Sequence, residues 1–144
     1  MTLNLLINCF IATFHVFGFR KGVGMSNELC CNNDLKIIAV QEHWLRADHL
    51  KKINLFHADY NFHDISSMCS AASLDILKER PFGGVAFLWH KSVNGCINFI
   101  HADPNGYCLV FKLNLSEKSI LLFNLYLSCY ENSEQCLSYQ RTSL

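Results

Sequence analysis

The segment Ile37–Leu45, IIAVQEHWL, delivers a carboxylate to a place where chemistry is commonly found. Ile37, Ile38, Ala39 and Val40 form an unbroken apolar run, the pattern of a strand buried on both faces, and Gln41 and Glu42 follow directly. In α/β folds ligands bind outside the carboxyl ends of such strands, so Glu42 stands at a site position. A surface glutamate closing a strand is the plain alternative. The other residues with metal chemistry point nowhere together. The eight cysteines (9, 30, 31, 69, 96, 108, 129 and 136) show no CxxC, and none of the seven histidines pairs with them at zinc-ligand spacing. Several cysteines lie inside apolar runs, as in Tyr107–Lys112, and read as buried, reduced thiols of an intracellular protein.

Three segments resemble the endonuclease/exonuclease/phosphatase family, in particular the endonuclease domains of non-LTR (LINE-type) retrotransposons. They are Thr13–Lys21 (TFHVFGFRK), Ile37–Leu45 and Arg80–Lys91 (RPFGGVAFLWHK); Phe123–Ser128 (FNLYLS) resembles that family's strand bearing a Tyr. The resemblance implies phosphodiester hydrolysis of DNA assisted by Mg²⁺ (or Mn²⁺), with Glu42 as a metal ligand and Tyr126 touching the phosphate. It also implies a nuclear location, although no basic cluster suited to import is found. Two positions depart from the family pattern. His15 stands where the family's T-x-N-x-x-G motif has Asn, and Ser128 stands where Tyr-x-Pro has Pro. An amide offers a donor and an acceptor at fixed angles, whereas neutral imidazole places them on opposite sides of a ring. His15 is therefore either a changed contact to phosphate or metal, or an idle ring in a degenerate site. Tyr126 is either a phosphate contact or a strand tyrosine with its hydroxyl at the rim.

The family's Asp-x-Asn motif and closing Asp-His pair lie C-terminal to the Tyr strand, and this sequence stops at Leu144 before them. His57, Asp59, His63 and Asp64 lie together but precede the strands that should carry a site. The expectation is a single incomplete domain over residues 1–144, inactive as it stands and exposing an apolar edge, so that it is poorly soluble or needs a partner. An active phosphodiesterase completed by other residues, and a non-enzymatic interaction module binding through Asn61–Glu79, are the competing readings.

The elements that must position these residues follow from the patterning. The expected class is α/β (α+β), a partial four-layer sandwich with mixed, largely antiparallel sheets. The apolar stretch Met1–Phe14 is interrupted by Asn4, Asn8 and Thr13 and lacks a basic leader, which argues against a signal peptide or membrane span. A first strand falls within Leu5–Val16. Gly18, Gly22 and Gly24 suggest a turn, with Ser26 capping a short helix over Asn27–Asn32. Leu45, Leu50, Ile53 and Leu55 share one face of an amphipathic helix under which Trp44 packs, and His49, His57 and His63 read as surface residues. Asn61–Glu79 reads as a loop with a short helix near Ala72–Lys78. Gly83 and Gly84 imply a tight entry into the strand Val85–His90. Strands at Cys96–His101, Tyr107–Leu113 and Ile120–Leu127 follow, the first two joined at Asp103–Gly106, so that Val85–Leu127 reads as an antiparallel meander. The tail Tyr130–Leu144 is polar and helix-permissive. Twelve basic residues balance twelve acidic ones, which supplies no electrostatic signature of nucleic-acid binding.

Overall fold

The computed structural model describes residues 10–32, 34–68 and 82–127. Strand β1 (Phe10–His15) leads through helix α1 (Phe19–Asn32) into β2 (Leu35–Gln41), and a 3₁₀ helix (Ala47–Leu55) leads into β3 (Tyr60–Ile65). Then come β4 (Val85–His90), a single 3₁₀ turn (Lys91–Val93), β5 (Ile97–Ala102), β6 (Cys108–Asn114) and β7 (Ser119–Leu125). The first sheet has the order β1-β2-β4-β3, with β1 and β2 parallel and the other pairs antiparallel. The second, β5-β6-β7, is antiparallel throughout. This is the mixed α/β class expected from the patterning.

The apolar run of β2 is buried on both faces, as its composition requires. Ile38 and Val40 join Ala86, Leu88 and Tyr60 beneath α1 and the longer 3₁₀ helix, where Phe19, Ile53 and Phe56 close the core. Ile37 and Ala39 face the opposite way and pack with Val85 and Phe87 against Leu109, Phe111 and Leu113 of the second sheet. The three layers are thus helices, first sheet, second sheet.

Several local expectations are corrected. The segment with Gly22 and Gly24 is helical, and α1 begins at Phe19, so Ser26 lies in its body rather than at its cap. In place of the expected amphipathic α-helix, Ala47–Leu55 is a 3₁₀ helix that buries Ile53 but leaves Leu55 exposed. Trp44 packs on Gly18, at the entry to α1. Asn61–Ile65 belongs to a strand, not a loop, and His63 is half-buried between the sheets, stacked on Phe99 at 4.7 Å. The antiparallel meander holds only β5–β7, because β4 inserts between β2 and β3 of the first sheet. The Ala72–Lys78 helix and the Tyr130–Leu144 tail lie outside the described residues.

Candidate active site

Parallel pairing sets both carboxyl ends of β1 and β2 at one edge of the first sheet, with His15 in register with Gln41. His15 and Glu42 therefore meet although 27 positions separate them (42 − 15): His15 Nε2 lies 3.4 Å from Glu42 Oε2. The end of β7 arrives from the second sheet. Thr13, His15, Gln41, Glu42, Phe123, Leu125, Tyr126 and Leu127 line one open pocket of about 710 Å³. The structure thus brings together all three residues singled out in the sequence, His15, Glu42 and Tyr126.

A polar chain runs from two of the lining residues, Thr13 and Gln41, to Asn124 behind the pocket. Thr13 Oγ1 donates to Gln41 Oε1 (3.2 Å), and Gln41 Nε2 donates to Asn124 Oδ1 (2.6 Å). Asn124 is buried and donates in turn to the carbonyls of Val40 (3.0 Å) and Ala86 (2.7 Å). Tyr126 is held by its backbone N–H to the Tyr107 carbonyl (2.9 Å), and its ring stacks on Tyr107 with centroids 6.2 Å apart. The rings of His15 and Phe17 meet edge-on, with centroids 4.2 Å apart.

The turn carrying Glu42 is built from unusual backbone. Glu42 and Trp44 both have left-handed φ (56° and 57°), a conformation that survives only where the surroundings enforce it. The surroundings here are specific. The Glu42 and His43 carbonyls accept from the N–H groups of Gly18 and Phe19 (both 2.8 Å), fixing the turn to the start of α1, and Trp44 N–H donates to the Gly83 carbonyl (3.0 Å). His43 is fully buried between these contacts. Its Nε2 lies 2.9 Å from the Ile65 carbonyl and its Nδ1 accepts from Leu45 N–H (3.0 Å), so neutral imidazole satisfies both. Burial pushes its pKa down to about 4, against the pull of the Ile65 and Val85 carbonyls. The His43 ring also explains the second glycine of the pair. A Cβ on Gly84 would come within 2.3 Å of His43 Cε1, and Gly84 has φ +86°, so only glycine fits.

Gln41 and Asn124 escaped the sequence reading. Asn124 had a signal: it is the lone polar residue in ILLFNLYL, and a polar side chain there must find partners. His57, Asp59, His63 and Asp64 do not line the pocket. Asp64 Oδ2 is buried with no hydrogen-bond partner, and desolvation raises its pKa to about 7.

The pocket's donor set bears directly on metal binding. Among the described lining residues Glu42 is the one carboxylate, and the side chains of Thr13 and Gln41 are hydrogen-bonded to each other and, through Gln41, to Asn124. Among the described residues no group of three or more His, Cys, Asp or Glu side chains is placed to hold a metal ion. One carboxylate fits a hard cation that keeps most of its waters, not an enclosed protein cage. Among the described residues no helix is long and apolar enough to cross a membrane.

No protein-family model matches this sequence, and no curated protein matches it. Solved structures do match its fold. AP endonuclease LMAP from Leishmania major superposes with a TM-score of 0.66 at 18% identity, over 89% of this chain and 43% of that one. The 3′ phosphatase NExo from Neisseria, bound to a product DNA hairpin, superposes with a TM-score of 0.60 at 17% identity, over 90% and 47%. The 3′-5′ exonuclease NExo from Neisseria meningitidis gives 0.59 at 15% identity, over 90% and 47%. The chain thus has the fold of these proteins and spans less than half of their length.

Proposed function

We propose that residues 1–144 are the N-terminal part of a metal-dependent phosphodiesterase domain of the endonuclease/exonuclease/phosphatase type, related to the endonucleases of LINE-type retrotransposons and acting on DNA in the nucleus. The convergence of Glu42, His15 and Tyr126 in one pocket at the carboxyl ends of two parallel strands carries this reading. In it Glu42 holds Mg²⁺ or Mn²⁺, which when bound supplies positive charge against the phosphate oxygens. Tyr126 closes the pocket from the second sheet, and the Thr13–Gln41–Asn124 chain keeps the two sheets in register beneath it. His15 sets a limit on this site, because its imidazole competes with a cation for the Glu42 carboxylate. Among the described residues the pocket offers one carboxylate, Glu42, and in this reading that set alone is too small for efficient turnover.

Mn²⁺ titration followed by electron paramagnetic resonance tests the reading. Weak binding is expected, lowered at least tenfold by Glu42→Gln and strengthened by His15→Asn. Equal affinity in the parent and Glu42→Gln proteins would refute the metal role of Glu42. A second reading, a non-enzymatic interaction module, is favoured by the exposed apolar side chains Leu121, Phe123 and Leu125 of β7; plasmid nicking with Mg²⁺ by the chain alone would exclude it.

A further inference from the structure

Strand β3 ends at Ile65, and the two serines that follow it, Ser66 and Ser67, are both buried. A buried hydroxyl must find partners, and these two find them in different places. Ser66 bonds locally: its Oγ accepts from Met68 N–H at 3.0 Å. Ser67 reaches out of its own segment in two directions. Its Oγ accepts from Gly84 N–H (2.8 Å), at the entry to β4, and donates to the Gly106 carbonyl (3.0 Å), in the hairpin between β5 and β6. One hydroxyl, with one proton and its lone pairs, thus bridges the two sheets.

Each end of that bridge leads to a residue of the candidate site. On one side His43 packs against Gly84, and the neighbouring Gly83 carbonyl accepts from Trp44 N–H (3.0 Å). His43 and Trp44 are the two residues that follow Glu42 in its turn. On the other side Tyr107, next to Gly106, accepts from Tyr126 N–H (2.9 Å) and stacks on the Tyr126 ring with centroids 6.2 Å apart. The two routes also adjoin directly. A Cβ on Gly83 would press on Ser67 Oγ and would lie 3.2 Å from Tyr126 Cε1, and a Cβ on Gly106 would strike the Ser66–Ser67 backbone. Gly83 and Gly106, both with left-handed φ (61° and 78°), let main chain close on the serine pair from both sheets.

We propose that Ser67 is a positioning residue whose hydroxyl fixes the separation between Glu42 on the first sheet and Tyr126 on the second. The inference rests on the functional reading above, in which those two residues serve one phosphate, and adds the group that sets how far apart they stand. The Gln41–Asn124 bond also joins the sheets, but it acts between strand residues. Ser67 acts between the supports themselves, the Gly83–Gly84 turn under the Glu42 loop and the Gly106–Tyr107 corner under Tyr126. Removing the hydroxyl leaves Gly84 N–H and the Gly106 carbonyl without their shared partner, and the two supports are no longer held at one distance.

Fluorine NMR of the full chain labelled with 3-fluorotyrosine tests this, the Tyr126 line being assigned by its loss in Tyr126→Phe. Ser67→Ala is expected to shift or split the Tyr126 line in the absence of metal. With Mn²⁺ added, it should change the paramagnetic broadening of that line at least about twofold, while Mn²⁺ affinity read by electron paramagnetic resonance stays within about twofold of the parent, because Glu42 is untouched. Ser66→Ala is the matched control: it removes a buried hydroxyl with a local bond, so it lowers the melting temperature and leaves the Tyr126 line unmoved. Ser67→Cys, which keeps the volume and replaces the hydroxyl with a weak donor, carries the same expectation where Ser67→Ala does not fold. A Ser67 variant that melts lower yet keeps the parent's Tyr126 line and broadening overturns the proposal and makes Ser67 a stabilising contact only. Equal changes of the Tyr126 line in the Ser66 and Ser67 variants overturn it as well. A parent whose Tyr126 line Mn²⁺ does not broaden counts against the proposed metal site instead, and the metal-free line then decides on Ser67.

Discussion

The side-chain amide of Gln41 donates to the side-chain carbonyl of Asn124 at 2.6 Å, tying the last residue of β2 in one sheet to β7 in the other. With Asn124 only 1% exposed and donating onward to two main-chain carbonyls, this bond is the polar hinge-pin of the pocket. Asn124→Leu leaves Gln41 and those carbonyls short of a partner and is expected to cost about 1–3 kcal/mol. Asn124→Asp is nearly isosteric but turns a carboxylate toward the Val40 and Ala86 carbonyls, so it should cost more at neutral pH. Urea midpoints decide; if Asp is tolerated better than Leu, the amide donors are not what holds the sheets together.

Two glycines offer a matched comparison. Gly84 has φ +86° and no room for a Cβ beside His43, whereas Gly95 has open space around it. Gly84→Ala should destabilise by more than about 2 kcal/mol or prevent folding, and Gly95→Ala should lie within about 1 kcal/mol of the parent. Thermal melts of the two variants settle the point. Equal effects would mean that the Gly83–Gly84 turn does not need the backbone described here.

Stability against pH should show two opposing slopes. The Asp64 carboxyl rises from 3.8 to about 7 on folding, so its contribution is complete below pH 3.8 and is lost as pH rises through 7. The His43 imidazole falls from 6.5 to about 4, so its contribution is complete above pH 6.5 and is lost as pH falls through 4. Between about pH 4 and 6.5 the two offset each other. Asp64→Asn removes the first slope. The variant should gain stability with rising pH across that window and exceed the parent by roughly 1–3 kcal/mol above pH 7. Urea unfolding from pH 4.5 to 8 measures this; a variant whose profile parallels that of the parent would show that Asp64 finds a partner in solution.

What the sequence makes legible is what local patterning can encode. The apolar runs of β2 and β4 announce strands buried on both faces, and Asp103-Pro104-Asn105-Gly106 announces its hairpin. Strand β3 is hidden because its inter-sheet face is polar. His63 is accommodated by Phe99 and Phe111, and Asn61 by a 2.9 Å bond to Asn94, partners that no local window contains. Helix α1 is hidden by Gly22, which reads as a breaker. A Cβ there would come within 2.5 Å of Val16 Cβ, so the residue lets helix and strand end approach closely. Glu42 is marked by the apolar run that ends at it, and His15 and Tyr126 by resemblance; their meeting in one pocket follows from strand order, which composition does not specify.

Strand order has a consequence during synthesis. β3 precedes β4 in the chain but lies outside it in the sheet, joined to the rest of the first sheet only through β4. The β2–β4 ladder, in turn, begins with Gln41 opposite Val85, 44 positions apart (85 − 41). Until Val85–His90 has left the ribosome, β3 has no neighbour to pair with, and β2 has one flank unpaired. A nascent chain halted in that interval exposes strand edges and apolar surface together, the condition that recruits chaperones or seeds misassembly. Codon choice and elongation rate between residues 66 and 90 therefore bear on how much of this protein reaches its native sheet, through timing alone.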